Sequence, residues 1–205
     1  SDALTLARYF TTMAEPEDNI KYNNIFKLDP AKHVADYISS LQEMYESYLT
    51  VKELPTGKGT IADLYVLCER YQPEVLIVDY LDLFQPLKRK EARRFELAEL
   101  AVALRGVAVE NNIAVVTATQ TSRAAAGKRI VTKEFVAEDY EKMRVSDVVV
   151  SIGQSKEDAL RKECVLYIAK SRNTEKEKAA RYFIDFPSMK YKLMREEFLT
   201  GDDDE

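Results

Sequence analysis

The sequence predicts an α/β domain: a mostly parallel sheet flanked by helices, with an antiparallel extension on the C-terminal side. Three observations lead there. VLIVDYLDLF and IAVVTATQ are near-continuous apolar runs, a long helical pattern lies between them, and a further apolar run, DVVVSI, follows with two more strand-like segments, ECVLYIAKSR and ARYFIDF. Strands covered on both faces read as unbroken apolar runs, and helices alternating with such strands imply parallel pairing through right-handed crossovers.

The elements follow in order. Leu6, Phe10 and Met13 repeat at helical spacing near the start, and a polar, turn-rich stretch covers 15–29. Then DPAKHVADYISSLQEMYESYL places Val34, Ile38, Leu41 and Tyr45 on one helical face, with Pro30 near the first turn. LTVKEL reads as a short strand. A helix starts at the cap Thr60, with Asp63 three residues on in a box-like arrangement, turns Ile61, Leu64, Tyr65 and Cys68 inward, and stops before Pro73. In FELAELAVALRGVAVENN the apolar stripe is Leu97, Leu100, Ala101, Leu104 and Ala108. Residues 1–195 are expected to form one domain, and the last ten residues, 196–205, with six acids and no base, a disordered tail.

Composition narrows the function classes. The chain of 205 residues, 46% hydrophobic and 32% charged, can bury one sizeable core. No apolar run approaches a membrane span and the start lacks a signal-peptide pattern, so a cytoplasmic protein is expected. Cys68 and Cys164 sit in apolar runs far apart, which gives neither a disulfide framework nor a metal site, and the single histidine, His33, leaves Ser-His-Asp catalysis without a base. The net charge of -5 is unevenly spread. Lys88, Arg89, Lys90, Arg93 and Arg94 crowd into QPLKRKEARR, and Arg123, Lys128, Arg129 and Lys133 into TSRAAAGKRIVTK. Such local patches can hold a polyanion despite an acidic total, although each could equally be a solvated helix start or loop.

TGKGT, at residues 56–60, imitates a phosphate-binding loop and fails the pattern twice. Lys52 stands where the first glycine belongs, and Gly59 follows Lys58 where Ser or Thr belongs. A turn leading into the Thr60 cap is the better reading. Chemistry is instead sought at the carboxyl ends of the strands, where α/β sheets bind ligands. Asp79 closes VLIVD, where a carboxylate can reach magnesium or its bound water, or merely cap a turn. Gln120 ends IAVVTATQ, where an amide can meet a phosphate oxygen or an attacking water. Lys170 and Arg172 alternate in AKSRN and so share one face of an extended segment, which can also be plain solvated surface.

Taken together these blocks resemble one family. VLIVDYLDLF looks like the Walker B segment of DnaB-type replicative helicases, IAVVTATQTSR resembles their strand ending in a phosphate-sensing glutamine before a DNA-binding loop, and ECVLYIAKSRN resembles the strand carrying their Lys-x-Arg-Asn finger. LRGVAVENNIAVVTATQ and KELPTG lean toward the family's phage branch, which would place the protein in a bacterial host's cytoplasm. The resemblance covers about residues 1–193.

It implies a RecA-like motor core using ATP and magnesium. Asp79 would order the metal, Gln120 would sense the γ-phosphate, and Lys170 and Arg172 would reach the nucleotide of the next subunit in a homo-hexameric ring. The basic loops 85–94 and 121–139, with Lys88, Arg89, Lys90, Arg93, Arg94, Arg123, Lys128 and Arg129, would hold single-stranded DNA in the channel, and a primase and a helicase loader are the expected partners. The family's P-loop and catalytic glutamate are expected upstream of residue 1. Asp82 stands where the family has glutamine, Thr119 where it has serine and Thr174 where it has glycine. Two other functions share these features: a RecA- or KaiC-like ATPase that binds DNA without unwinding it, and a scaffold without a P-loop that binds DNA or a replication protein.

Overall fold

The computed structural model of the protein describes residues 39, 43, 48–121, 125–131, 140–173 and 178–198. The N-terminal helix pattern, the turn-rich stretch 15–29 and His33 lie outside the described residues; of the second helix pattern, Ser39 and Glu43 are helical. Residues 48–55, including the expected strand LTVKEL, take no regular structure. Among the described residues β1 pairs only with β2, so no sheet edge is offered to that segment.

Helix α1 spans Ile61–Tyr71 and begins as the sequence directs. Thr60 Oγ1 accepts from the Asp63 N–H at 3.2 Å and the Asp63 carboxylate accepts from the Thr60 N–H at 2.8 Å. The hydrogen bonds that Thr60 makes to the Asp63 carboxylate lower its pKa. Before the helix, TGKGT makes a turn at 56–58 with Gly57 at φ +70, a conformation in which glycine alone avoids a Cβ clash. The Gly57 N–H donates to the Leu83 carbonyl at 3.1 Å, so the turn braces the segment after β1.

Strand β1 (Val75–Val78) leads into a 3-10 turn at Leu81–Leu83, then helix α2 (Arg93–Asn111) returns to β2 (Ala114–Thr117), which lies parallel to β1 in the register Val75↔Ala114 to Val78↔Thr117. Ile61, Leu64 and Cys68 of α1 and Leu97, Leu100, Ala101, Leu104 and Val107 of α2 bury one side of this pair with Val78 and Leu81. The expected coverage of both faces is not found among the described residues: Val75, Ile77 and Val116 on the other face are 54%, 71% and 55% exposed. Both helices pack on the same side, which leaves only one face of each strand covered.

The second sheet is antiparallel, in the order β3-β4-β5-β6: Val148–Gly153, Glu163–Ser171, Lys178–Asp185 and Lys190–Phe198. DVVVSI therefore opens the antiparallel part rather than adding a third parallel strand, because its backbone pairs with β4 from Val148↔Ser171 to Gly153↔Val165. Two short helices that the sequence pattern does not mark, α3 (Tyr140–Val145) and α4 (Lys156–Arg161), flank β3. Strand β6 is also unmarked. It runs three residues into the segment expected to be an acidic tail, pairing Glu196 with Ala180 and Phe198 with Lys178. Both cysteines are buried thiols, as expected, and burial raises each pKa. No described helix is long and apolar enough to cross a membrane.

Candidate functional site

Two groups of predicted residues sit at two strand ends, on different sheets. The first belongs to the parallel pair. Thr117 Oγ1 donates to the Val78 carbonyl at 2.9 Å, which aligns the carboxyl ends of β1 and β2. Asp79 follows Val78, and Gln120 lies three residues beyond Thr117; both are exposed. Gln120 Nε2 is 3.4 Å from the Tyr80 hydroxyl, so the amide is drawn toward the residue beside Asp79.

Asp82, which the sequence marks only as a departure from the family, holds this end together. Its carboxylate accepts from Thr119 Oγ1 at 3.1 Å and 3.2 Å and from the Gln120 N–H at 3.3 Å. The two departures, Asp82 and Thr119, are thus hydrogen-bond partners. Asp82 is tied in turn to α2, because Arg93 Nη2 donates to its backbone carbonyl at 2.7 Å. The signal is present in the sequence as two polar exchanges, but nothing there places them side by side.

The second group is at the end of β4. Lys170 Nζ donates to the carbonyls of Met143, Arg144 and Ser146 at 2.7, 2.9 and 2.7 Å. An ammonium is favoured there, where the last carbonyls of α3 lack helical partners. Arg172 Nη1 pairs with Asp147 Oδ1 at 2.9 Å and Nη2 lies 3.4 Å from the Arg144 carbonyl. Arg105 of α2 occupies the other carboxylate oxygen of Asp147 at 3.0 Å and also donates to the Val145 carbonyl at 2.7 Å. The Arg105 hydrogen bond is the main reason that the Asp147 pKa is lowered. Asp147 carries no mark in the sequence, and its role appears only once α2, α3 and β4 meet.

The basic loops divide in the same way. In the first, Lys90 pairs with Glu99 at 2.8 Å and Arg93 with the buried Glu96 at 2.8 Å, whose pKa the Arg93 hydrogen bond lowers. Arg94 lies over the Phe95 ring at 4.9 Å. Lys88 and Arg89 are exposed. In the second, Arg123 and Lys133 lie outside the described residues and Lys128 is exposed. Arg129 is drawn inward: Nε and Nη2 each lie 3.0 Å from one oxygen of Asp158, which is fully buried. Arg181 reaches the same carboxylate at 3.2 Å and Glu163 at 3.0 Å. Burial alone would raise the Asp158 pKa, but the hydrogen bonds from Arg129 and Ser155 overcome it and hold the group ionised well below the usual carboxylate range.

That pairing pins residues 125–131 onto the antiparallel sheet. Ala125, Ile130 and Val131 are buried, and Ser151 Oγ of β3 donates to the Val131 carbonyl at 2.9 Å. The contact is close enough to require glycine in β3, since a Cβ at Gly153 would strike the Arg129 carbonyl.

The same architecture is found in the solved ATPase domain of a DnaB-like replicative helicase, with a TM-score of 0.70 at 15% identity, covering 93% of this chain and 70% of that one. It recurs in a DnaB-like replicative helicase solved with its interactions with primase, with a TM-score of 0.68 at 16% identity, where the alignment covers 91% of this chain and 46% of that one. No curated protein matches the chain. The fold is that of a RecA-like helicase domain. The chain belongs to the family of DnaB-like helicase C-terminal domains, whose pattern it matches over residues 7–185. That family is one of replicative helicases, and the expectation drawn from the three sequence blocks agrees with it.

Proposed function

We propose that this domain works in a ring that couples ATP hydrolysis to movement along single-stranded DNA and to duplex unwinding. The observation that carries this reading is the pairing of β1 with β2, Val78 opposite Thr117, which brings Asp79 and Gln120 to adjacent strand ends. A carboxylate and an amide at that position suit a nucleotide phosphate and its magnesium. Among the described residues no three His, Cys, Asp or Glu side chains gather as a metal cage. Magnesium fits such a site, because it is usually held by one or two carboxylates with water and phosphate oxygens completing the shell. When bound, the ion neutralises charge developing on the transferred phosphoryl group.

In this reading Asp79 orders the metal and Gln120 positions the attacking water or senses the γ-phosphate. Lys170 and Arg172 are at the end of a different sheet, an arrangement suited to serving the nucleotide of a neighbouring copy in a homo-hexamer. Lys88, Arg89 and Lys128 are the described cations best disposed to meet DNA phosphates, and such binding is salt-dependent and largely blind to sequence. A primase is a candidate partner because the similar helicase was solved with one. The test is ATP hydrolysis by the full-length protein with and without single-stranded DNA. DNA-stimulated turnover that falls about a thousandfold in Asp79→Ala supports the motor; DNA binding without hydrolysis in the wild type supports the scaffold instead.

A further inference from the structure

Arg172 can serve a neighbouring nucleotide only if its guanidinium is held at a fixed angle, and the structure contains the group that does so. Asp147 is the last residue before β3, and the Arg172 N–H also donates to its carbonyl at 3.1 Å. One carboxylate oxygen takes Arg172 and the other takes Arg105, so a single side chain ties the end of β4 to the middle of α2. Lys170 is committed to the α3 carbonyls on the same side. The two finger residues therefore play unequal parts: Lys170 is an anchor, while Arg172, with its side chain 45% exposed, keeps an outward edge. Among the described residues its side chain engages two partners, Asp147 and the Arg144 carbonyl, out of the five N–H groups that a guanidinium offers.

We propose that Asp147 is a positioning residue for hydrolysis: it grips one edge of the Arg172 guanidinium and leaves the other directed at an anion on an adjoining subunit, with Arg105 keeping the carboxylate from following the arginine outward. This rests on the ring-helicase reading above. The linkage also has a direction. Helix α2 begins at the basic loop and α3 lies between the second basic loop and Asp147, so both loops are joined through short, packed elements to the group that aims Arg172. A planar bidentate donor set loses little freedom when one edge is fixed, which favours arginine over lysine for the outward role.

The test is steady-state ATP hydrolysis with single-stranded DNA by the full-length protein, comparing wild type, Asp147→Asn, Asp147→Glu, Arg172→Ala and the double variant Asp147→Asn/Arg172→Ala, with thermal melting beside it. Asp147→Asn is expected to lower kcat by about tenfold to a hundredfold, with the KM for ATP within about twofold of wild type. Asp147→Glu should recover part of the loss, and the double variant should be no slower than Arg172→Ala alone. A merely structural role would instead lower the melting temperature and slow the double variant beyond Arg172→Ala, which would overturn the proposal. It is equally overturned if Arg172→Ala abolishes turnover while Asp147→Asn leaves it at the wild-type level. Wild-type turnover in Arg172→Ala would remove the ring reading itself, whatever Asp147 does.

Discussion

The end of the parallel pair and the end of the antiparallel sheet carry the two halves of the candidate site, and they are built differently. At β1 and β2 the important side chains, Asp79 and Gln120, are exposed, and the strand face bearing Val75, Ile77 and Val116 is open among the described residues. At β4 nearly every second residue is buried, Lys170 and Arg172 are held by carbonyls and a carboxylate, and a fully buried Asp158 organises the base of the sheet. The difference is one of preorganisation. The phosphate-facing half offers groups that a ligand must complete, whereas the finger half is already fixed by its own polar network and is presented as a unit.

The contrast breaks most readily at Asp158. Asp158→Ala leaves Arg129 without its carboxylate and Arg181 with Glu163 alone, and it is expected to destabilise the domain by about 3 kcal/mol, because removing one partner of a buried pair strands the other charge. In chemical denaturation this appears as a lower midpoint; an unchanged midpoint would mean that the network adds nothing to stability. The next effect is on pH dependence. The folded-state pKa of Asp158 lies below its unfolded value, so its stabilisation is present above the unfolded value of about 4 and is lost as pH falls toward the folded one. Asp158→Asn should therefore flatten the dependence of stability on pH below about 4, and an undiminished slope would contradict the assignment.

The smallest expected effect sharpens the comparison between the basic residues. Replacing Lys88 and Arg89 together by alanine should reduce the salt slope of single-stranded DNA binding by roughly 1.4, with melting nearly unchanged, since two phosphate contacts are lost. Arg129→Ala should do the reverse, lowering the melting temperature while leaving the salt slope close to wild type. If Arg129→Ala cost as much slope per residue as the pair, its place on Asp158 would not be its main role.

Local patterns are legible where chemistry is local. The Thr60/Asp63 cap, the α2 stripe and the apolar cores of β1, β2, β4 and β5 are written in consecutive residues, and the structure bears them out. What cannot be read depends on distant partners. An apolar run such as DVVVSI does not say whether its neighbour will be parallel or antiparallel, and KYKLMREEF has too little alternation to mark β6 against its charges. Arg129 looks like any other cation in a basic loop because its partner Asp158 is 29 residues away. Asp82 and Asp147 stay hidden for the same reason: each acts by joining segments that only the fold brings together.

A site shared between copies, with Asp79 and Gln120 from one and Arg172 from the next, can be tested by complementation. Two inactive full-length variants, Asp79→Ala and Arg172→Ala, are mixed, and DNA-stimulated ATP hydrolysis is measured after subunit exchange. A head-to-tail ring with sites built across its interfaces predicts that activity returns, to about a quarter of wild type for random mixing and independent sites. Mixed assemblies that stay as inactive as either parent would contradict it.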